Sequence, residues 1–167
     1  GRTGATNVLR AAGPWMAALT ILGDALKGFL AVLIARIVLK DSMGQALAGL
    51  MAVVGHNYSI FIKFRGGAGT IATIGGAVSI WPGYAAILIT IGVAFVLATR
   101  YASVASIAIA LVVPIVMGLR IWQSGVSWIY LIFAVGTSTL TLWALRPNIR
   151  RLLKGCERRV AIPITPG

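Results

Sequence analysis

Three glycines in four positions, Gly66, Gly67 and Gly69, stand directly before an apolar stretch, with Lys63 and Arg65 just upstream. Backbone without side chains at the start of a helix lets N–H groups close around an anion, and the two bases add positive charge. Such a collar suits a phosphate. It is not a Walker loop, because the Gly-Lys-Ser/Thr ending is absent. The plainer alternative is a glycine-rich turn flanked by interfacial bases. Gly4-Ala5-Thr6-Asn7-Val8-Leu9-Arg10 combines similar ingredients. Thr6, Asn7 and Arg10 suit phosphate binding at a helix mouth; alternatively Thr6 or Asn7 caps the helix and Arg10 snorkels to the surface.

Groups able to react directly are few. Ser103 and Ser106 are three apart and share a helical face, a spacing that also serves helix packing in lipid. His56 is the only histidine. A histidine base with an aspartate five residues on is excluded, since that position is Phe61, and no serine–histidine–acid triad can be read from the order of residues. Ser103, Ser106 and His56 therefore stand as candidates without an assigned role. Asp24 and Lys27, at i and i+3, can pair on one face, as charges inside an apolar helix must. Arg146, Arg150, Arg151 and Lys154 suit lipid headgroups, and Asn148 among them, just past the last apolar run, is placed to reach a site at that end. One cysteine, Cys156, allows neither an internal disulfide nor a zinc cluster.

The elements that must hold these residues are apolar helices. Of 167 residues, 59% are apolar and 11% charged, with a mean hydropathy of +0.94. A water-soluble core cannot hide so much apolar surface, so lipid must cover it. The runs predict six helices at about 14–38, 44–55, 71–80, 83–98, 102–118 and 127–145, with a short helix at Thr6–Ala12 and a basic tail over 146–167. Two runs are too short to span a bilayer. The whole reads as one all-α, polytopic membrane domain, 1–167. The net charge of +12 would suit nucleic acid in a soluble protein; here the bases fall between apolar runs, so anionic headgroups and small anionic substrates fit better, and no nucleic-acid partner is expected. Eleven bases fall on the side of the glycine-rich loops and the tail, against three (Arg36, Lys40, Arg120) on the other. That asymmetry puts the loops and C-terminus in the cytoplasm.

Taken in order, these motifs resemble the bacterial acyl-phosphate:glycerol-3-phosphate acyltransferases of the inner membrane. The family's Gly-Ala-Thr-Asn-Val-Leu-Arg is matched by residues 4–10, and its Asp-x-x-Lys-Gly by Asp24, Lys27 and Gly28. Its Gly-His…Phe…Phe-Lys-Gly-Gly-Lys-Gly is matched by Gly55, His56, Phe61, Phe64, Arg65, Gly66, Gly67 and Gly69. Tyr101, Ser103 and Ser106 match its Tyr-x-Ser-x-x-Ser; Asn148, Ile149, Arg151, Leu152, Gly155 and Glu157 match its tail. The resemblance implies seven membrane helices in the full-length protein, one of them upstream of Gly1 with the N-terminus outside, and an active site at the cytoplasmic face of the bacterial membrane. It implies acyl transfer from acyl phosphate to glycerol 3-phosphate, giving lysophosphatidate and phosphate, without metal or cofactor. Phosphate binding then falls to Thr6, Asn7, Arg10, Lys63, Arg65, Gly66, Gly67, Gly69 and Asn148.

The chain departs from that pattern at three places: Arg2 stands for an asparagine, Ala68 for the lysine of Gly-Gly-Lys-Gly, and Leu145 for a histidine. These departures leave open a non-catalytic, lipid- or anion-binding relative of the same fold. A small transporter is a further alternative, suggested by interrupted helices and the Asp24/Lys27 pair.

Overall fold

The computed structural model describes residues 4–64 and 66–160, with the backbone alone at Phe61. Every regular element among them is helical: α1 (Ala5–Val38), α2 (Ser42–Asn57), a 3-10 turn (Ile60–Ile62), α3 (Thr70–Ile80), α4 (Tyr84–Thr99), α5 (Ala102–Ser124), α6 (Tyr130–Ala144) and α7 (Arg146–Leu153). The expected all-α bundle is present, with seven helices rather than six among the described residues. The additional one is α7, eight residues of the basic tail that start at a proline-containing first turn. Hydropathy does not reveal such a helix, because its apolar residues occupy a narrow stripe between arginines.

Several boundaries have local causes. Gly13, at φ 84°, breaks α1 into the short helix expected at Thr6–Ala12 and a long one that starts at Pro14. Proline suits a first helical turn, where its missing N–H has no partner to lose. Asp41 caps α2 by accepting from the Gly44 N–H at 2.7 Å. At its other end α2 runs on to Asn57, so His56 and Asn57 are helical and not part of the loop expected from residue 56. α5 passes through Pro114 and reaches Ser124, beyond the expected end at 118. Membrane helices tolerate an internal proline when neighbours satisfy the freed carbonyl.

α1 and α5 are long and apolar enough to cross a membrane, and α3, α4 and α6 are shorter apolar helices. At about 1.5 Å per residue, α3 covers roughly 16 Å, half of a hydrocarbon core. It is nonetheless the most enclosed helix, with Thr70, Ala72, Thr73, Gly75, Gly76, Ala77 and Ser79 all buried. Small residues allow this. A Cβ on Gly28 of α1 would collide with the Ala72 carbonyl, and one on Gly75 with the Ala25 carbonyl, so α1 and α3 touch backbone to backbone. Gly49 and Gly76 leave room for the Phe133 ring, which joins Tyr84, Leu88, Val113 and Met117 in the core. Outside, Leu19, Leu22, Ile34, Ile37, Leu97 and Ile115 remain exposed. A bundle that turns its leucines and isoleucines outward is built for an apolar solvent.

The helices alternate in direction. Residues 58–69, the Arg100–Tyr101 turn and α7 with its tail therefore meet at one end of the bundle. At the opposite end Arg36 donates to the Ser79 and Ile80 carbonyls and so caps the C-terminus of α3. Its Nε also reaches Gln45 Oε1 at 3.4 Å, which accepts from the Tyr130 hydroxyl at 3.0 Å. A cation on a helix C-terminus is favoured by the aligned peptide dipoles.

Candidate active site

The glycine collar sits on the last turn of α2. The Gly66 N–H donates to the Asn57 carbonyl at 3.1 Å. A Cβ at Gly66 would collide with the His56 carbonyl, so only glycine lets the loop seat there. Lys63 and Phe64 precede it with φ of 52° and 59°. Two consecutive non-glycine residues in the left-handed region cost about 1–2 kcal/mol each, and such strain concentrates at functional segments. Gly69, at φ 83°, is the N-cap of α3. The collar thus ends at a helix N-terminus whose first N–H groups lack intrahelical partners.

Against this collar lies a cavity of about 620 Å³, lined by Asn57, Tyr58, Phe64, Gly66, Gly67, Trp143, Ala144, Arg146, Pro147 and Arg150. Two of the predicted phosphate-binding residues, Gly66 and Gly67, are on its wall; Gly69 is buried one turn away, and Lys63 is exposed. Arg65 lies outside the described residues. The arginines facing the collar are Arg146 and Arg150, which sequence reasoning assigned to headgroups. Arg146 is held there by its Nε donating to the Trp143 carbonyl at 3.1 Å and by its guanidinium lying over the Trp143 ring.

The other predicted residues gather beside this cavity, around the tail. Thr6 and Asn7 lie inside the first turn of α1, whose N-cap is Gly4, so neither is the cap. Arg10 donates to Asn7 Oδ1 at 3.3 Å and to the Arg159 carbonyl at 3.1 Å. The tail is further tied by the Val160 N–H to the Arg100 carbonyl at 2.7 Å, and by Arg159 to the Tyr101 hydroxyl at 3.2 Å. Asn148 does not line the cavity. Its amide donates to Glu157 at 2.7 Å, and Arg151 Nε reaches the other carboxylate oxygen at 2.6 Å. Burial pushes the Glu157 carboxyl up, but hydrogen bonds from Asn148 and Arg151, with the neighbouring Ser103 hydroxyl, outweigh it and hold it below the usual carboxylate range. Ser103 is buried at the start of α5, and Ser106 is half-buried one turn on.

Asp24 and Lys27 form the expected pair, with Nζ and Oδ1 2.5 Å apart. His56 joins them: its Nδ1 is 2.8 Å from Lys27 Nζ and 3.3 Å from Asp24 Oδ1. The histidine therefore has a carboxylate neighbour, supplied by another helix rather than by the residues that follow it. The three line a second cavity of about 450 Å³ with Thr20, Ala52, Gly55, Ser59 and Ile62.

A family model described as Glycerol-3-phosphate acyltransferase matches residues 1–155. The chain belongs to the glycerol-3-phosphate acyltransferase family. Among curated relatives it is 40% identical to a glycerol-3-phosphate acyltransferase of Thermus thermophilus over 164 residues, covering 96% of this chain and 78% of the relative. It is 38% identical to one of Rubrobacter xylanophilus over 159 residues, covering 95% and 78%. Among solved structures it superposes on PlsY, an integral membrane glycerol 3-phosphate acyltransferase, in its glycerol 3-phosphate form. The TM-score is 0.85 at 33% identity, over 96% of this chain and 79% of that one. The lysophosphatidic acid form of the same enzyme gives a TM-score of 0.83 at 34% identity, over 95% and 80%. With this likeness the outward-facing leucines and isoleucines of the family member have their explanation: it is a polytopic membrane helix bundle.

Proposed function

We propose that this chain transfers an acyl group from an acyl phosphate to the 1-hydroxyl of glycerol 3-phosphate, at the cytoplasmic face of a bacterial membrane. The observation that carries the reading is the collar cavity. Gly66 and Gly67 present backbone to it, and Arg146 and Arg150 bring positive charge to the same space. Two phosphates can be held close there only if fixed positive groups offset their repulsion.

An acyl phosphate needs no protein nucleophile. The 1-hydroxyl oxygen bonds to the acyl carbon, the bond from that carbon to the phosphate oxygen breaks, and the hydroxyl proton passes to a phosphate oxygen. Lysophosphatidate and inorganic phosphate result. Backbone N–H groups at the collar and the arginines stabilise charge as it moves onto the departing phosphate. This assigns no covalent role to Ser103, Ser106 or His56. Asn148 and Arg151 hold the tail through Glu157, and Arg10 holds it through its carbonyls. The excess of bases at the collar end supports its cytoplasmic placement, with residues 146–167 as a basic tail at the headgroups. Membrane lipids are then the solvent of the bundle and the destination of the lysophosphatidate it makes.

The test is phosphate release from a long-chain acyl phosphate by the full-length protein in detergent or liposomes. Release that depends on glycerol 3-phosphate and yields lysophosphatidate in equal amount is expected. A second reading, a relative that binds without turnover, draws on Ala68, where the resembling family carries a lysine. Saturable glycerol 3-phosphate binding with no phosphate release would favour it.

A further inference from the structure

Beyond α7 the chain turns back at Gly155, with φ 67°, and residues 156–160 run as a strap across the starts of α5 and α1. Glu157 ties the strap to Asn148 and Arg151 at one end. At the other end the Val160 N–H donates to the Arg100 carbonyl, and Arg159 donates to the Tyr101 hydroxyl with its guanidinium 5.6 Å from the centre of that ring. Between these ties the Arg158 and Arg159 carbonyls accept from a single Arg10 nitrogen, Nη2, at 3.5 and 3.1 Å. Nη1 of the same guanidinium donates to Asn7 Oδ1 at 3.3 Å. Arg10 is exposed, and an exposed arginine ordinarily samples many rotamers. This one is gripped from two sides, by its own helix and by the strap.

Every acceptor that grips it is neutral. A carboxylate in the same place would cancel the charge, but Glu157, the only acid in the tail, is turned to Asn148 and Arg151. At most three of the five guanidinium N–H groups are used, so Arg10 keeps its full charge and spare donors. A cation fixed in this way is prepared for an anion before the anion arrives. We propose that the strap is a positioning element for substrate binding: the Arg158 and Arg159 carbonyls fix Arg10, and Arg10 takes the phosphate of glycerol 3-phosphate. The proposal rests on the substrate reading above and deepens it. Of the two substrates the acyl phosphate is anchored in the bilayer by its chain, whereas glycerol 3-phosphate comes from water, on the side where Arg10 is exposed. Its phosphate takes no part in bond making, so Arg10 grips it alike before and during the reaction. Loosening the strap then raises KM for glycerol 3-phosphate and spares kcat.

The experiment measures kcat and both KM values for full-length protein in one detergent. Val160→Pro removes the N–H that ties the strap to Arg100 and changes no charge. Arg159→Leu removes the tie to Tyr101 and keeps the main-chain carbonyl. The double variant is expected to raise KM for glycerol 3-phosphate roughly tenfold or more, the size of one charge-assisted hydrogen bond. Its kcat and its KM for acyl phosphate should stay within about twofold of wild type, with unchanged melting. Lys154→Gln, which removes a tail charge outside the strap, should match wild type. Placed on Arg10→Ala, the double variant should add less than about twofold to the loss in kcat/KM, because both changes act through one guanidinium. An unchanged KM for glycerol 3-phosphate overturns the proposal, and so do full additivity with Arg10→Ala and a fall in kcat and melting alone. A lowered KM overturns it too, since the strap would then be competing with the substrate for Arg10. If the double variant does not fold, Val160→Pro by itself is read in the same way. Wild type that releases no phosphate with glycerol 3-phosphate present overturns the substrate reading, and this proposal with it; the other outcomes leave that reading standing.

Discussion

His56, at the end of α2, places its Nδ1 atom 3.3 Å from the carboxylate of Asp24 in α1. Lys27 touches both, so one acid, one base and one imidazole tie the two helices together beneath the turn on which Gly66 rests. The consequence is positional: loosening the cluster should loosen the seat of the collar. Asp24→Asn keeps the shape and removes the charge, leaving Lys27 beside His56 with no anion. Thermal unfolding in detergent should show a loss on the order of 1–3 kcal/mol, the usual cost of stripping a hydrogen-bonded charge from its partner. His56→Gln should cost less, because glutamine can still donate to Asp24. Equal melting of wild type and Asp24→Asn would mean the cluster does not hold α1 to α2.

Neighbouring glycines provide a sharper contrast. A methyl on Gly66 meets the His56 and Asn57 carbonyls, which belong to a helix and cannot yield, whereas a methyl on Gly55 meets nothing within 4 Å. Gly66→Ala should therefore displace the collar and lower acyl transfer by at least roughly tenfold, as misplacement of a binding element does. Gly55→Ala should leave activity near wild type and add a little helix stability. The assay is lysophosphatidate formation, with melting temperature measured alongside. Activity that survives in Gly66→Ala would show that the collar shifts without loss and is not the phosphate seat.

Much of the fold is legible in the chain because lipid imposes a simple rule: apolar runs become helices and polar breaks become turns. The six runs, the short helix before Gly13 and the Asp24–Lys27 pair all follow from spacing of three or four residues along one helix. What escapes is contact between elements distant in sequence. His56 finds its acid on α1, and nothing beside it in the sequence reveals that. Arg10 meets the Arg159 carbonyl across almost the whole chain. α7 is missed because hydropathy averages over its arginines, and with it the turning of Arg146 and Arg150 toward the collar. Asn57 reads as an ordinary loop residue until the helix is seen to run on through it and bury it.

Glu157 makes the tail clasp depend on pH. Its carboxyl is held below the usual range in the folded protein, so its stabilising effect is complete above the ordinary carboxylate pKa. The effect fades as pH falls through that value and is gone below the lowered one. The tail should therefore stay docked at neutral pH and at pH 6, and release only in strong acid. Glu157→Gln should release it at every pH, since a neutral amide gives Arg151 no counter-charge. Cys156 is the only cysteine, is exposed, and adjoins Glu157, so a spin label there reports the motion. A slow label at pH 7 that becomes fast in Glu157→Gln is expected. Fast motion in wild type at pH 7 would show the clasp is not formed.

Ala68 is the position where a charge should be most useful. It lies half-buried between Gly67 on the cavity wall and Gly69 at the cap of α3. The family this chain resembles carries a lysine there, amid glycines that supply no charge of their own. In Ala68→Lys the ammonium would stand next to the N-terminus of α3 and share in neutralising a bound phosphate. A charge-assisted hydrogen bond contributes about 1.5–3 kcal/mol, so the gain in kcat/KM should be roughly tenfold or greater. Its form is informative. A charge acting equally on bound substrate and transition state lowers KM alone, whereas one that meets the departing phosphate raises kcat. The measurement is acyl-phosphate-dependent lysophosphatidate formation by wild type and variant at equal folded protein. If neither parameter moves while the variant melts normally, bases already present, Arg146 and Arg150 foremost, supply the charge that the lysine supplies elsewhere. That outcome would make the α6–α7 corner, and not the collar alone, the place where this chain holds its phosphate.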